Sequence, residues 1–206
     1  MKAGIYNRDC IESMQEFPDN FFELAIVDPP YGIGSIKHYN TKFKNESKKW
    51  NKKIPSYKYF ADLFRISKKQ IIWGGNYFTN YLPAVKSWVI WDKDFNGHTN
   101  GFSDAELAWI SDNSRTRIFK FKANDGKQNA IKKIHPTQKP IELYEWLLMN
   151  YAKKGDKILD THLGSGSSAI AAHRLGYEFW GFEIDKDYYE AAVKRINLEK
   201  IKLRLF

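Results

Sequence analysis

The chain has 206 residues, 43% hydrophobic and 16% aromatic, which is enough to bury one sizeable core and fits a single domain spanning 1–206. A net charge of +9 and a pI near 9.4 favour a polyanionic partner or an acidic membrane surface over a small neutral ligand. The single cysteine, Cys10, excludes an internal disulfide and a cysteine-based zinc cluster and suits a reducing cytoplasm; the N-terminus MKAGIYNRDC has no long apolar run and no stretch reaches the roughly 18 apolar residues of a membrane span, so neither export nor membrane spanning is expected. Short apolar-rich runs recur at residues 24–27, 71–73, 88–91, 107–110, 157–159 and 178–182, several of them separated by stretches of helical spacing. That alternation predicts an α/β fold with a mostly parallel sheet flanked by helices.

The first run, Leu24-Ala25-Ile26-Val27, stops abruptly at Asp28-Pro29-Pro30-Tyr31, one carboxylate, two rigid rings and a flat aromatic at the edge of a buried strand. Next comes a stretch rich in lysine, residues 33–58, with Lys37, Lys42, Lys44, Lys48, Lys49, Lys52, Lys53 and Lys58 against one acid, Glu46. It reads as an exposed, mobile basic loop, either a solvated insertion or a flap that meets a polyanion at the adjacent turn. Tyr59, Phe60, Leu63, Phe64 and Ile66 then fall mostly on one helical face. The stretch WGGNYF at 73–78 follows a strand and either shapes a pocket or turns the chain. Trp91-Asp92 closes another strand, again open to a structural or a substrate-contact reading. Residues 111–134 carry Arg115, Arg117, Lys120, Lys122, Lys127, Lys132 and Lys133, a short basic insert or a hairpin with solvated charges. Two further helices are expected, one carrying Leu143, Trp146, Leu147, Met149 and Tyr151, the other running from Asp185 to Ile201 with its acids at the start.

The segment KILDTHLGSGSSAIAAHRLGYEFWGFEID, residues 157–185, places a strand end at Asp160, the loop Gly164-Ser165-Gly166, a helix opening in small residues, a second strand, and Glu183 at its end. Glycines allow close backbone approach, a helix start offers free N–H groups, and an acid about 20 residues on accepts both hydroxyls of a ribose. An adenosine-containing cofactor fits; the pattern Gly164-x-Gly166-x-x-Ala169 also satisfies the loose form of the NAD fingerprint. In a dinucleotide-binding domain this loop comes early, whereas here only about forty residues follow it. The remaining strands must come from upstream. Both loops then lie at the carboxyl ends of neighbouring parallel strands and face one crevice.

Taken together, Asp28-Pro29-Pro30-Tyr31, then Asp160-x-x-x-Gly164-Ser165-Gly166-Ser167, then Gly181-Phe182-Glu183, with RDCIE near the start, WGGNYF and HPTQKP at 135–140, resemble the S-adenosylmethionine-dependent amino-methyltransferases of DNA. The order resembles their β class, in which the catalytic motif precedes the cofactor motif, and the likeness covers nearly the whole chain. It implies a single-domain, Rossmann-like methyltransferase fold with a circularly permuted motif order and a mostly parallel seven-stranded sheet. By the same resemblance, Asp9 and Cys10 meet the adenine of the cofactor, although Asp9 reads equally well as a helix cap. Glu183, followed by Ile184, holds the ribose. Gly164, Ser165, Gly166 and Ser167 line the methionine portion together with Thr137, Gln138 and Lys139, the lysine pairing with a carboxylate, and Asp28, Asp160 and His162 are implied as further cofactor contacts. His135 reads as a structural hydrogen-bonder, and nothing calls for a metal. The family usually has proline and an aromatic residue where this chain has Thr161 and His162; imidazole is flat but offers less apolar surface, so weaker cofactor binding is expected.

The implied chemistry explains the acidic turn. An exocyclic amine is a poor nucleophile because its lone pair is delocalised into the ring. Asp28 and the Pro29 carbonyl would take its two N–H groups, the proline rings stiffening that turn, while Tyr31 offers a face to a flipped-out base. Adenine is favoured over cytosine because cytosine enzymes of the family more often carry serine at the position of Asp28. Cys10 lacks the proline context of a carbon-5 nucleophile. DNA contacts are expected from Lys42, Lys44, Lys48, Lys49, Lys52 and Lys53 to phosphates and from Arg115 and Arg117 to base edges. A homodimer is compatible with the resemblance, though the sequence shows no seam for one. The competing expectations are an N4-cytosine enzyme, a catalytically silent cofactor- or DNA-binding module and, more distantly, an NAD-dependent oxidoreductase.

Overall fold

In the computed structural model, the described residues are 1–33, 53–94, 103–112, 114–122 and 133–202. Among them the chain runs through β1 (Gly4–Tyr6), α1 (Cys10–Met14), β2 (Leu24–Val27), α2 (Tyr57–Ile66), β3 (Gln70–Trp73), β4 (Trp88–Asp92), β5 (Ala105–Ile110) and β6 (Arg117–Lys120). It continues through α3 (Ile141–Tyr151), β7 (Lys157–Asp160), α4 (Ser167–Arg174), β8 (Glu178–Phe182) and α5 (Lys186–Lys202). No described helix is long and apolar enough to cross a membrane.

One eight-stranded sheet, in the order β1-β8-β7-β2-β3-β5-β4-β6, organises the molecule. Every pairing is parallel except the two that β5 makes, with β3 and with β4, so β5 alone opposes the common direction. The α/β, mostly parallel expectation is therefore met, with one strand more than the seven expected already among the described residues. The strands that apolar runs did not announce are β1, only three residues long, and β6, which lies inside the basic 111–134 segment. On β6, Arg117 and Phe119 turn inward while Ile118 and Lys120 face out, so half of an edge strand is written in charge.

Strand β2 shows why the sheet is buried on both faces. Its side chains alternate, with Leu24 and Ile26 packing among residues of α3, α4 and α5, and Ala25 and Val27 among residues of α1 and α2. Helix α2 presents Tyr59, Phe60, Leu63 and Ile66 to the second layer and leaves Tyr57 outside. On α3 the buried positions are Ile141, Leu143, Tyr144, Leu147 and Leu148, so Met149, at 63% exposure, lies off the face assigned to it from spacing. Helix α5 buries Tyr188, Ala192 and Ile196.

The chain order β2-α2-β3 moves outward on one side of the sheet and β7-α4-β8 on the other. Strands β2 and β7 are direct neighbours in parallel register, Leu24 opposite Ile158 and Ala25 opposite Leu159. The loops that leave their carboxyl ends diverge there, which opens the crevice of an open α/β sheet.

Candidate active site

A cavity of about 860 Å³ fills that crevice and falls within the range of roughly 300–1,000 Å³ usual for small-molecule sites. Its wall brings together Asp9 and Cys10 from the start of α1, Asp28 and Pro30 after β2, Thr137, Gln138 and Lys139 before α3, His162, Gly164 and Ser165 after β7, and Glu183 and Ile184 after β8. Asp160, Gly166 and Ser167 stand behind the wall and support it. Ile54, Tyr59, Tyr144 and Tyr188 also line the cavity without a site role having been read for them from the sequence, and so do Arg8, from the RDCIE stretch, and Lys53, expected at DNA phosphates.

The supporting residues act through identifiable bonds. Buried Asp160 accepts the His162 N–H at 3.0 Å and the Ser168 hydroxyl at 2.5 Å, tying the end of β7 to the first turn of α4. Burial pushes its carboxyl up to about 7, only partly offset by those two donors. Gly166 adopts φ of +74°, a conformation that favours glycine, and a Cβ there would come within a tight 3.1 Å of Ile196 Cδ1. Ser167 donates to the Lys139 carbonyl at 2.8 Å, and Arg195 donates to the Ser165 carbonyl and to Ser167, clamping the glycine loop to the segment before α3. Glu183 accepts the Gly164 N–H at 2.8 Å and the Asp185 N–H at 2.9 Å. Asp9 caps α1 through Ile11 N–H at 2.6 Å, as its cap reading expects, and also forms part of the cavity wall. Burial and the neighbouring Asp9 push the Cys10 thiol up to about 12, leaving it protonated at neutral pH.

Thr161 and His162 form a small network with α2: the Thr161 hydroxyl lies 2.7 Å from the Tyr59 hydroxyl and 2.9 Å from His162 Nδ1, and the imidazole packs edge-on against Tyr59. Burial pushes His162 down to about 4. The unfolded chain takes up this proton as pH falls through about 6.5, whereas the folded chain holds a neutral ring until about 4, so acidification across that window costs stability. His162→Phe is expected to flatten the loss, read as urea midpoints measured at pH 7 and pH 4.5.

The acidic turn is the most densely tied part of the site. Both Asp28 oxygens accept a hydrogen bond, Oδ1 from the Tyr31 hydroxyl at 2.6 Å and Oδ2 from Lys139 Nζ at 2.5 Å. Burial and the Asp28 charge raise the Tyr31 phenol well above its ordinary range, so it remains a donor. Lys139, 4% exposed, also reaches Glu106 Oε2 at 3.0 Å. Burial alone would lower the Lys139 pKa, but Asp28 and Glu106 raise it above its ordinary value. The family resemblance implied a cofactor role for Lys139 and gave no sign of Glu106, which lies 33 residues away on β5.

WGGNYF serves the same turn. The Tyr31 ring stacks on Tyr77 with centroids 5.0 Å apart and 16° between planes. Gly74, at φ +70°, lies against the Tyr31 ring, and a Cβ there would fall 2.2 Å from Tyr31 Cε1. Turn and pocket-shaping roles are thus one role. Gly74→Ala is expected to cost about 1–3 kcal/mol of stability and to lower any activity at the site at least about tenfold, tested by thermal melting and a rate assay.

The basic positions divide. Lys42, Lys44, Lys48, Lys49 and Lys52 lie outside the described residues, whereas Lys53 is exposed at the cavity rim. Arg115 is exposed; Arg117 donates to Asn150 Oδ1 at 2.5 Å and lies over the Trp146 ring, so the scaffold already engages its guanidinium. No group of three or more metal-ligating side chains comes together among the described residues.

Comparison with known proteins extends these observations. The profile of the N6_N4_Mtase family, described as DNA methylase, matches residues 46–194. The Type II methyltransferase M.HpaI of Haemophilus parainfluenzae is 25% identical over 233 aligned positions, covering 93% of this chain and 73% of that protein. The fold matches that of M1.HpyAVI, solved as a SAM complex, with a TM-score of 0.64 at 20% identity over 94% of this chain and 98% of the other. It also matches the cytosine-N4-specific PvuII DNA methyltransferase, with a TM-score of 0.65 at 14% identity over 97% and 91% of the two chains. At such identities the two solved structures speak for the fold alone. The family profile spans most of the sequence, from within the basic stretch to α5, and on that ground the chain belongs to the N6/N4 DNA methylase family.

Proposed function

We propose that the protein transfers a methyl group from S-adenosylmethionine to the N6 amine of adenine in a base flipped out of duplex DNA. The observation that carries this reading is the shared cavity: Asp28 at the end of β2 and the glycine loop at the end of β7 line the same hollow. Its residues fit the cofactor. Glu183 is a half-buried carboxylate beside the Gly164-Ser165 backbone, suited to ribose hydroxyls, and Asp9 and Cys10 lie where an adenine edge would be read. When bound, S-adenosylmethionine supplies an electrophilic methyl group on a sulfonium.

The rest falls to this chain. Asp28 accepts one amine N–H, and the Pro29 carbonyl is placed on a stiff turn for the other, which turns the nitrogen lone pair toward the donor side of the cavity. Tyr31, locked by its bond to Asp28, by Gly74 and by Tyr77, forms part of a rigid aromatic platform for the base. Flipping costs a few kcal/mol, which stacking partly recovers. Rate then comes from alignment and charge placement, with no covalent bond to Cys10. Within this single catalytic domain, the lysines of 33–58 would meet phosphates, and Arg115, within 111–134, is better disposed than Arg117 to reach a base edge. The carboxylate at position 28 supports adenine over cytosine, and the imidazole at 162 supports a weakened cofactor grip, so His162→Phe should tighten S-adenosylmethionine several-fold.

The test is direct. Unmethylated duplex DNA is incubated with protein and S-adenosylmethionine, digested to nucleosides and weighed. N6-methyladenosine in the deoxy series is expected. N4-methylcytosine would overturn the choice of base, and no modified nucleoside from protein that retains the cofactor would replace catalysis with a silent binding module.

A further inference from the structure

Among the described residues, β5 is the one strand that enters the sheet at the edge where the parallel strands leave it, so its first residues arrive beside the catalytic turn. Glu106, opposite Trp91 of β4, is carried there by that reversal. Its two oxygens hold two lysines: Oε1 lies 2.8 Å from Lys93 Nζ and Oε2 lies 3.0 Å from Lys139 Nζ. With Lys139 on Asp28 at 2.5 Å, the four groups form an alternating row, Lys93, Glu106, Lys139 and Asp28. The Lys139 ammonium has three donors, and its third neighbour is the Tyr31 hydroxyl at 3.3 Å. Its side chain is almost wholly shielded from water, with the Trp73 ring 5.3 Å away.

This row poses a problem for the reading above, on which the inference rests. Asp28 must accept an amine N–H, yet both its oxygens are already engaged and one faces a full positive charge. A buried ammonium whose only counter-charge was Asp28 would hold that oxygen tightly, because neither partner could be left unpaired. A second carboxylate changes this. We propose that Glu106 is a positioning residue: by retaining Lys139 it lets the ammonium yield Asp28 Oδ2 to the target amine without losing its buried counter-charge. Lys93, on the far oxygen, keeps Glu106 itself paired throughout. The two lysines pull the Glu106 carboxyl down to about 2 against the effect of burial, so it stays ionised at any working pH.

The experiment uses the full chain with duplex DNA and S-adenosylmethionine, and measures kcat, KM for both substrates, cofactor affinity by calorimetry and melting temperature. Glu106→Gln is expected to lower kcat about 10- to 100-fold while cofactor affinity stays within about threefold. Introduced into a Lys139→Met background, Glu106→Gln should cause no further loss, because Glu106 acts only through that lysine. Glu106→Asp, which keeps the charge one methylene short, should recover part of kcat. A Glu106→Gln kcat within about twofold of the parent, or losses that multiply in the double variant, would overturn the proposal. Should Glu106→Gln not fold, Glu106→Asp decides: reduced kcat at unchanged cofactor affinity supports it, and unchanged kcat overturns it. If the parent protein methylates no base, the methyltransferase reading itself fails, which is a separate result from parent activity matched by Glu106→Gln.

Discussion

Asp28→Ala is expected to lower methyl transfer by about a thousandfold or more while leaving S-adenosylmethionine affinity within a few-fold. The separation follows from the topology: Asp28 leaves β2, whereas the proposed cofactor contacts come mainly from the loops after β7 and β8 and from the segment before α3. Alanine removes the acceptor for the amine and also releases the Tyr31 hydroxyl. The fold should survive, because Lys139 retains Glu106 as a counter-charge, and a loss of about 1–3 kcal/mol is expected rather than the larger penalty of a wholly orphaned buried charge. Asp28→Asn, which preserves shape but not charge, should fall between the two. Single-turnover rates and calorimetry on the same preparations test this. Parallel loss of rate and cofactor affinity would mean that the acid supports the fold instead.

The second large effect belongs to Glu183. Its two oxygens hold the Gly164 and Asp185 N–H groups, so the carboxylate both shapes the glycine loop and faces the cavity. Burial raises its pKa, and the backbone donors oppose that rise, a balance that suits a group kept partly dry to receive hydroxyls. Glu183→Ala removes those backbone bonds along with any bond to a ribose. At about 1.5–3 kcal/mol for each hydrogen bond to a charged group, S-adenosylmethionine affinity should weaken about 100-fold or more. At saturating cofactor the rate should fall much less, because Asp28 and Tyr31 are untouched. Glu183→Gln, able to accept one N–H but not both, should lie in between. Equilibrium titration with the cofactor is the measurement, and an unchanged affinity would remove Glu183 from the cofactor site.

Much of this protein could be read locally. The buried run 24–27 and the acid and prolines that stop it, the glycine turn at 164–166 and the acid at 183 are short contiguous patterns, and each structure they announce is made by the residues that spell it. The order of these patterns along the chain was enough to place two loops at one crevice, because parallel strands joined by helices leave few ways to connect. Asp9 is legible for the same reason, since a cap depends on the next few residues.

What only tertiary structure decided is who stands beside whom. Lys139 meets Asp28 across 111 positions, Glu106 joins them from an antiparallel strand, and Arg117 turns to Asn150 and Trp146 on α3. Tyr59, an ordinary aromatic on a helical face by its spacing, closes on Thr161 across 102 positions. None of these pairings has a local signature. They follow from strand register and direction, above all from the reversal of β5, which the total burial of eight strands settles collectively and no short stretch of sequence specifies alone.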